Sequence, residues 1–217
     1  MVKIFMENAA TCSIDLNIKD NDGWTGFHYA CLEGKSGVVK ILIENAAKFG
    51  IDINAKDDNG LTGFHQACDN DRRDLVRIFM KNAATSRIDL NVKENNGLTG
   101  FHLACTNVCT DLVKIFMENA ATLIFDPTAK SNNGLTAFHI ACLKGYSEVV
   151  EELIENAEIF GIDLNTKDNC DMTAFHIACR RGHTDVIKIL IENAAKLSFN
   201  LNANFKRNAV FMSIFHG

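Results

Sequence analysis

Proline is nearly absent: Pro127 is the only one in 217 residues, and there is one tryptophan and two tyrosines. Such poverty excludes a Pro-rich linker and a collagen-like chain. An excess of positive charge is missing too, since 22 basic residues face 27 acidic ones for a net charge of −5. Without a basic footprint, nucleic acid is not expected as a partner. No uninterrupted apolar run approaches the ~20 residues of a spanning helix. The opening Met1-Val2-Lys3-Ile4-Phe5-Met6-Glu7 lacks the apolar region of a secretory signal. The chain is therefore expected to be soluble and cytoplasmic, with the nucleus left open, no membrane contact and reduced thiols. An apolar fraction of 47% is enough for a packed core rather than a disordered tail.

What is present is repetition. The tract Gly23-Trp24-Thr25-Gly26-Phe27-His28-Tyr29-Ala30-Cys31 returns at 60–68, 97–105, 134–142 and, with Asp171 replacing the glycine, at 171–179. Its threonines fall at 25, 62, 99, 136 and 173, a constant step of 37 residues. A second tract, Val39-Lys40-Ile41-Leu42-Ile43-Glu44-Asn45-Ala46, recurs at the same step without insertion or deletion. The implied units are 14–50, 51–87, 88–124, 125–161 and 162–198, between partial ends at 1–13 and 199–217.

Each unit has a readable local structure. Thr25 can cap a helix start with its hydroxyl. Phe27, Ala30 and Cys31 then make an apolar stripe at helical spacing, and Gly34 can supply the left-handed turn that ends it. A longer helix with Val38, Ile41, Leu42 and Ile43 follows. Residues 51–60 read as a short extended arm ending in turn formers. Neither helix can bury its apolar face alone, so stability requires stacking of the units.

This order resembles the ankyrin repeat. The family's T-P-L-H-x-A pattern stands here as Thr25-Gly26-Phe27-His28-Tyr29-Ala30, and its D-V-N-A-K-D-like hairpin as Asp52-Ile53-Asn54-Ala55-Lys56-Asp57. The resemblance implies an all-α solenoid of about five repeats with short β-hairpin arms between helix pairs. Two departures matter. Gly26, Gly63 and Gly100, or Ala137 and Ala174, replace the helix-starting proline, and looser inner-helix starts are expected at the glycines. The period exceeds the family's 33 by about one helical turn, so an outer helix longer by one turn is expected in every unit. Where Gly34, Gly145 and Gly182 end the inner helix, the other units have Asp71 and Val108. Valine does not tolerate positive φ, so the Val108 loop should abandon the left-handed turn. Residues 1–10 read as an outer helix without a partner, and 199–217 as a degenerate unit. Together they suggest a piece of a longer array or end-to-end self-association.

Chemistry was sought in the five His-x-x-Cys pairs, His28/Cys31, His65/Cys68, His102/Cys105, His139/Cys142 and His176/Cys179. Each pair shares a helix face, but a structural zinc site takes four ligands, and stacked helices ~10 Å apart cannot pool theirs. The resemblance implies that this histidine bridges repeats and that the cysteine fills a small buried position. Cys12, Cys109 and Cys170 follow no pattern and read as single thiols. No motif for a nucleophile, a phosphate loop or a metalloprotease is present. No catalytic residue, metal or cofactor is expected.

The resemblance places partner contacts on a concave side made of hairpin tips and inner helices. The tips carry Lys19, Lys56, Lys93, Lys130 and Lys167, each followed by Asp20, Asp57, Glu94, Ser131 or Asp168, which largely cancel the lysines. The row after the inner helix runs Leu32-Glu33, Asp69-Asn70, Thr106-Asn107, Leu143-Lys144, Arg180-Arg181, from acidic to basic. Chance assortment of solvated residues explains this, or the gradient orients a dipolar protein or peptide. Trp24 stands where other units have Leu61, Leu98, Leu135 and Met172; Tyr29 stands where they have Gln66, Leu103, Ile140 and Ile177. The two aromatics either anchor a partner or cover the open end of the stack. Candidate contact residues are thus Trp24, Tyr29, Glu33, Leu61, Gln66, Asp69, Asn70, Leu98, Thr106, Asn107, Leu135, Lys144, Met172, Arg180 and Arg181. The expected function is non-catalytic binding of a protein or peptide, as a scaffold or adaptor. The alternative is a regulatory or targeting segment of a larger enzyme or channel.

Overall fold

A computed structural model describes residues 15–108, 110–119 and 125–194. The expectations for Cys12, Cys109 and the two chain ends lie outside these residues. Ten α-helices alternate between short and long: α1 Gly26–Leu32, α2 Ser36–Phe49, α3 Gly63–Asp69, α4 Arg73–Ser86, α5 Gly100–Ala104, α6 Thr110–Asn119, α7 Ala137–Lys144, α8 Ser147–Glu155, α9 Ala174–Arg181 and α10 Thr184–Glu192. Odd-numbered helices form an inner layer and even-numbered helices an outer one, each stacking on the helix of the next repeat and on its own partner. The architecture is the all-α solenoid anticipated from the repeat.

Every inner helix starts with the same device. The threonine at its N-cap is extended, with φ between −84° and −99°, and the histidine three residues on completes a capping box. In detail, the Thr62 backbone N–H donates to His65 Nδ1 at 3.1 Å while the His65 N–H reaches the Thr62 hydroxyl at 3.4 Å. Two donors orphaned by the helix start are satisfied reciprocally. A histidine here does what Glu or Gln does in the usual box.

Two of the glycines after these threonines, Gly63 and Gly100, stand where a side chain does not fit. A Cβ on Gly63 would lie 2.8 Å from Phe27 Cε1 and from Cys31 Sγ, and one on Gly100 would lie 2.5 Å from Phe64 Cε1. The preceding repeat's phenylalanine occupies the space a side chain needs, so glycine permits close stacking. The core continues as an aromatic file. Phe79 lies 6.0 Å from Phe27 and 5.3 Å from Phe64, and Phe116 lies 6.0 Å from Phe64 and 5.1 Å from Phe101. Each outer-helix ring thus bridges two inner ones, at centroid distances typical of favourable aromatic pairs.

The lengthened outer helix holds for α2 and α4, each of 14 residues and closed by a left-handed residue, Gly50 or Arg87. It fails for α8 and α10, which end at Glu155 and Glu192 with a right-handed residue, Asn156 or Asn193, at the cap. After α8 the chain continues to Gly161 as hydrogen-bonded turns, with Phe160 N–H on Asn156 O and Ile162 N–H on Ala157 O. The Val108 loop departs as expected. Gly34, Asp71, Gly145 and Gly182 all have φ between 50° and 78°, whereas Val108 has no positive φ and stands 70% exposed.

The arms contain no strand among the described residues. Each tip is a tight turn, closed at the second by Asp57 N–H on Leu61 O and Gly60 N–H on Asp57 O. Neighbouring tips share a single backbone bond, such as Asn95 N–H to Asn59 O at 3.0 Å, too little for a ladder. Asparagine side chains brace the arms: Asn54 Nδ2 donates to Arg87 O at 2.9 Å while its Oδ1 accepts from Asp89 N–H at 3.1 Å.

Candidate recognition surface

The lysine row at the tips is engaged with the protein's own backbone. Lys19 Nζ donates to Lys56 O, Lys56 to Lys93 O, Lys93 to Lys130 O and Lys130 to Lys167 O, at 2.7 to 3.1 Å. Each of the first four lysines thus caps the carbonyl of its counterpart one repeat on, and Lys167 pairs with Asp171. This ladder was not recognised from sequence, although the constant step of its lysines was the available signal.

The histidines are equally committed. A backbone N–H is always a donor, so Thr25, Thr62, Thr99 and Thr136 make Nδ1 of their histidines an acceptor. The proton therefore sits on Nε2, which donates to Leu61 O, Leu98 O, Leu135 O and Met172 O of the following repeat at 3.1 to 3.3 Å. No ring nitrogen of these four is left for a metal. Burial holds His65, His102 and His139 below the usual imidazole range and pushes the thiols of Cys31, Cys68, Cys105 and Cys142 well up. Cys179, less buried, is raised to about 11. Thiols of this kind are poor nucleophiles.

Among the candidate contact residues, the structure separates those that face outward from those that do not. Trp24, Leu61, Leu98, Leu135 and Met172 form one half-buried row at the feet of the inner helices. Tyr29 is 48% exposed, whereas Gln66 in the same register is only 5% exposed and has no face to offer a partner. Gln66 is thus corrected to a core position, as Leu103, Ile140 and Ile177 are. The difference arises at the first tip. Tyr29 Oη donates to Asp20 Oδ2 at 2.6 Å and its ring tilts against Trp24 at 5.1 Å. That bond keeps the Asp20 carboxyl below its ordinary range and raises the Tyr29 phenol.

At the far end of the inner helices, the neutral candidates turn inward. Asn70 Nδ2 caps Gln66 O, Thr106 Oγ1 caps Leu103 O, and Asn107 Nδ2 reaches Cys68 O in the preceding repeat. Arg72 and His183 do the same to Leu32 O and Leu143 O, roles not foreseen from sequence. The charged candidates Glu33, Asp69, Lys144, Arg180 and Arg181 stay exposed and form no ion pair or side-chain hydrogen bond with described residues. Among the described residues no three His, Cys, Asp or Glu side chains gather as a metal group, and no helix is long and apolar enough to cross a membrane.

Stacked helix pairs with tight tips and an outward-facing inner layer define a helical repeat solenoid. Ankyrin-repeat family models match residues 1–89 and 85–168 (three copies) and 148–191 (many copies), and the chain belongs to the ankyrin repeat family. No curated protein matches it. Ankyrin repeats are in general protein–protein interaction modules.

Proposed function

We propose that this chain is a non-catalytic adaptor or scaffold that holds a protein or peptide on the concave face of its inner helices, in the cytoplasm. The observation that supports this is the division of labour within each repeat. Threonine, histidine, cysteine and tip lysine are consumed in holding repeats together, while charged and aromatic side chains that differ from repeat to repeat project from the same scaffold. Extended, rigidly presented surfaces of this kind suit recognition. The free thiols fit a reducing compartment.

Affinity capture from native lysate, run in parallel with Trp24→Ala, Tyr29→Ala and Arg180→Glu/Arg181→Glu, tests the reading. A partner retained by the native chain and lost with the concave-face variants is expected. Partners that bind all forms equally would place recognition elsewhere.

A further inference from the structure

One row of the concave face changes its charge steadily along the solenoid. Glu33, Asn70, Asn107, Lys144 and Arg181 stand at a step of 37, each four residues after the inner-helix position occupied first by Tyr29. Glu33, Lys144 and Arg181 of this row are exposed, and Tyr29, one turn before Glu33, is the exposed member of a register that is otherwise buried. The row's two central asparagines are spent on backbone carbonyls, Gln66 O and Cys68 O. Its charged ends face solvent without partners among the described residues.

The surrounding loops do not cancel this polarity. Around the first loops, five carboxylates (Glu33, Asp69, Asp71, Asp74, Asp111) face three cations (Lys35, Arg72, Arg73). Around the last two, three cations (Lys144, Arg180, Arg181) face two carboxylates (Glu148, Asp185). The acidic end also holds Tyr29, the one exposed aromatic ring of the inner layer among the described residues, oriented by its bond to Asp20 and its tilt on Trp24. A fixed aromatic ring one helical turn from a free carboxylate is suited to an arginine or lysine side chain.

Building on the recognition function proposed above, we infer that this edge binds one extended peptide segment with opposite charges at its two ends. A basic residue sits against Tyr29 and Glu33, and acidic residues lie over Lys144 and Arg181. Inner helices packed ~10 Å apart place Arg181 roughly 40 Å from Glu33, and an extended chain covers that span in about twelve residues. Complementary charge sets the register of such a segment more than its affinity.

Trp24, the single tryptophan, reports on the acidic end. The full chain is titrated with a synthetic peptide bearing two arginines and two glutamates about twelve residues apart, joined by a neutral spacer, with a dansyl group at either end. Strong quenching of Trp24 is expected with the label beside the arginines and weak quenching with it beside the glutamates, at an affinity that falls as salt rises. In the exposed-surface variant Glu33→Arg/Lys144→Glu/Arg181→Glu the two labels should exchange behaviour, and Lys144→Glu/Arg181→Glu alone should weaken binding about tenfold. Equal quenching from both ends, or a charge-scrambled peptide binding as well, overturns the inference. Self-association of the chain abolished by Arg181→Glu does so too, by making a second copy the occupant. If lysate partners still depend on Trp24 and Tyr29 while the dipolar peptide binds no better than its scramble, concave-face recognition stands and only the polarity falls. If the dipolar peptide binds in register but captured proteins ignore every concave-face variant, the adaptor reading fails instead.

Discussion

The phenol of Tyr29 donates to Asp20 Oδ2 at 2.6 Å and so ties the first tip to the first inner helix. No other described repeat has this tie, because Gln66, Leu103, Ile140 and Ile177 occupy the tyrosine's register. The bond stabilises neutral tyrosine against tyrosinate, since ionisation would set two negative oxygens in contact. Asp20→Asn should therefore lower the titration midpoint of Tyr29, followed by tyrosinate absorbance, without unfolding the chain. An unshifted midpoint would mean that the hydroxyl bond is not maintained in solution.

Acid should weaken the stack through its histidines. Burial lowers the proton affinity of His65, His102 and His139, whereas in the unfolded chain they titrate near 6.5. Below that pH the unfolded chain binds protons that the folded one refuses. Stability is thus complete above about pH 6.5 and falls as the pH drops below it, by at most ~1.4 kcal/mol per pH unit for each histidine. Urea midpoints at pH 7.5 and 5.5 measure the loss. Because glutamine also serves a capping box, His102→Gln should shrink the difference between the two midpoints. A loss of the same size in that variant would point to other titrating groups.

Glycine at the inner-helix start should be needed at two positions and dispensable at a third. Gly63→Ala and Gly100→Ala drive a methyl into Phe27 or Phe64 and should each cost about 1–3 kcal/mol by urea denaturation. A Cβ on Gly26 meets no described atom within 4 Å, so Gly26→Ala should be neutral or stabilising by up to ~1 kcal/mol. Equal costs at all three positions would refute close packing as the reason for glycine.

The lysine ladder gives a prediction about what the tips do not do. Lys93→Met removes the bond to Lys130 O and should lower stability by about 1 kcal/mol. Nucleic acid should bind neither form appreciably in a fluorescence anisotropy titration. Salt-sensitive binding to a DNA duplex, lost in Lys93→Met, would show the row to be a phosphate surface after all.

How much of this was legible depends on the range of the interaction. The 37-residue step, the threonine caps, the helix pairs and the left-handed turn at Gly34 follow from nearest neighbours along the chain. A hydroxyl three residues from an N–H, or apolar residues three and four apart, act within one helical turn. The Val108 departure was legible for the same reason, as it rests on the shape of one side chain. The shorter α8 and α10 were not, because the Asn-Ala pair at which they end also lies inside the longer α2 and α4.

The remaining decisions belong to contacts between residues 33 to 40 positions apart, which local pattern does not weigh. Glycine at 63 reads as a weak helix start until Phe27 is seen against it, and Gln66 reads as a surface amide until its neighbours enclose it. The tip lysines read as free cations until each meets the carbonyl of the next. Proline was the scarcest signal in the sequence, and its replacement at the helix starts is explained only in three dimensions. At Gly63 and Gly100 the ring of the preceding repeat leaves no room for a side chain. Sequence alone determined that the chain is a stack of identical helix pairs, because that needs only periodicity. Which side chains the stack spends on itself and which it leaves for a partner was decided by burial, a property of the packed molecule.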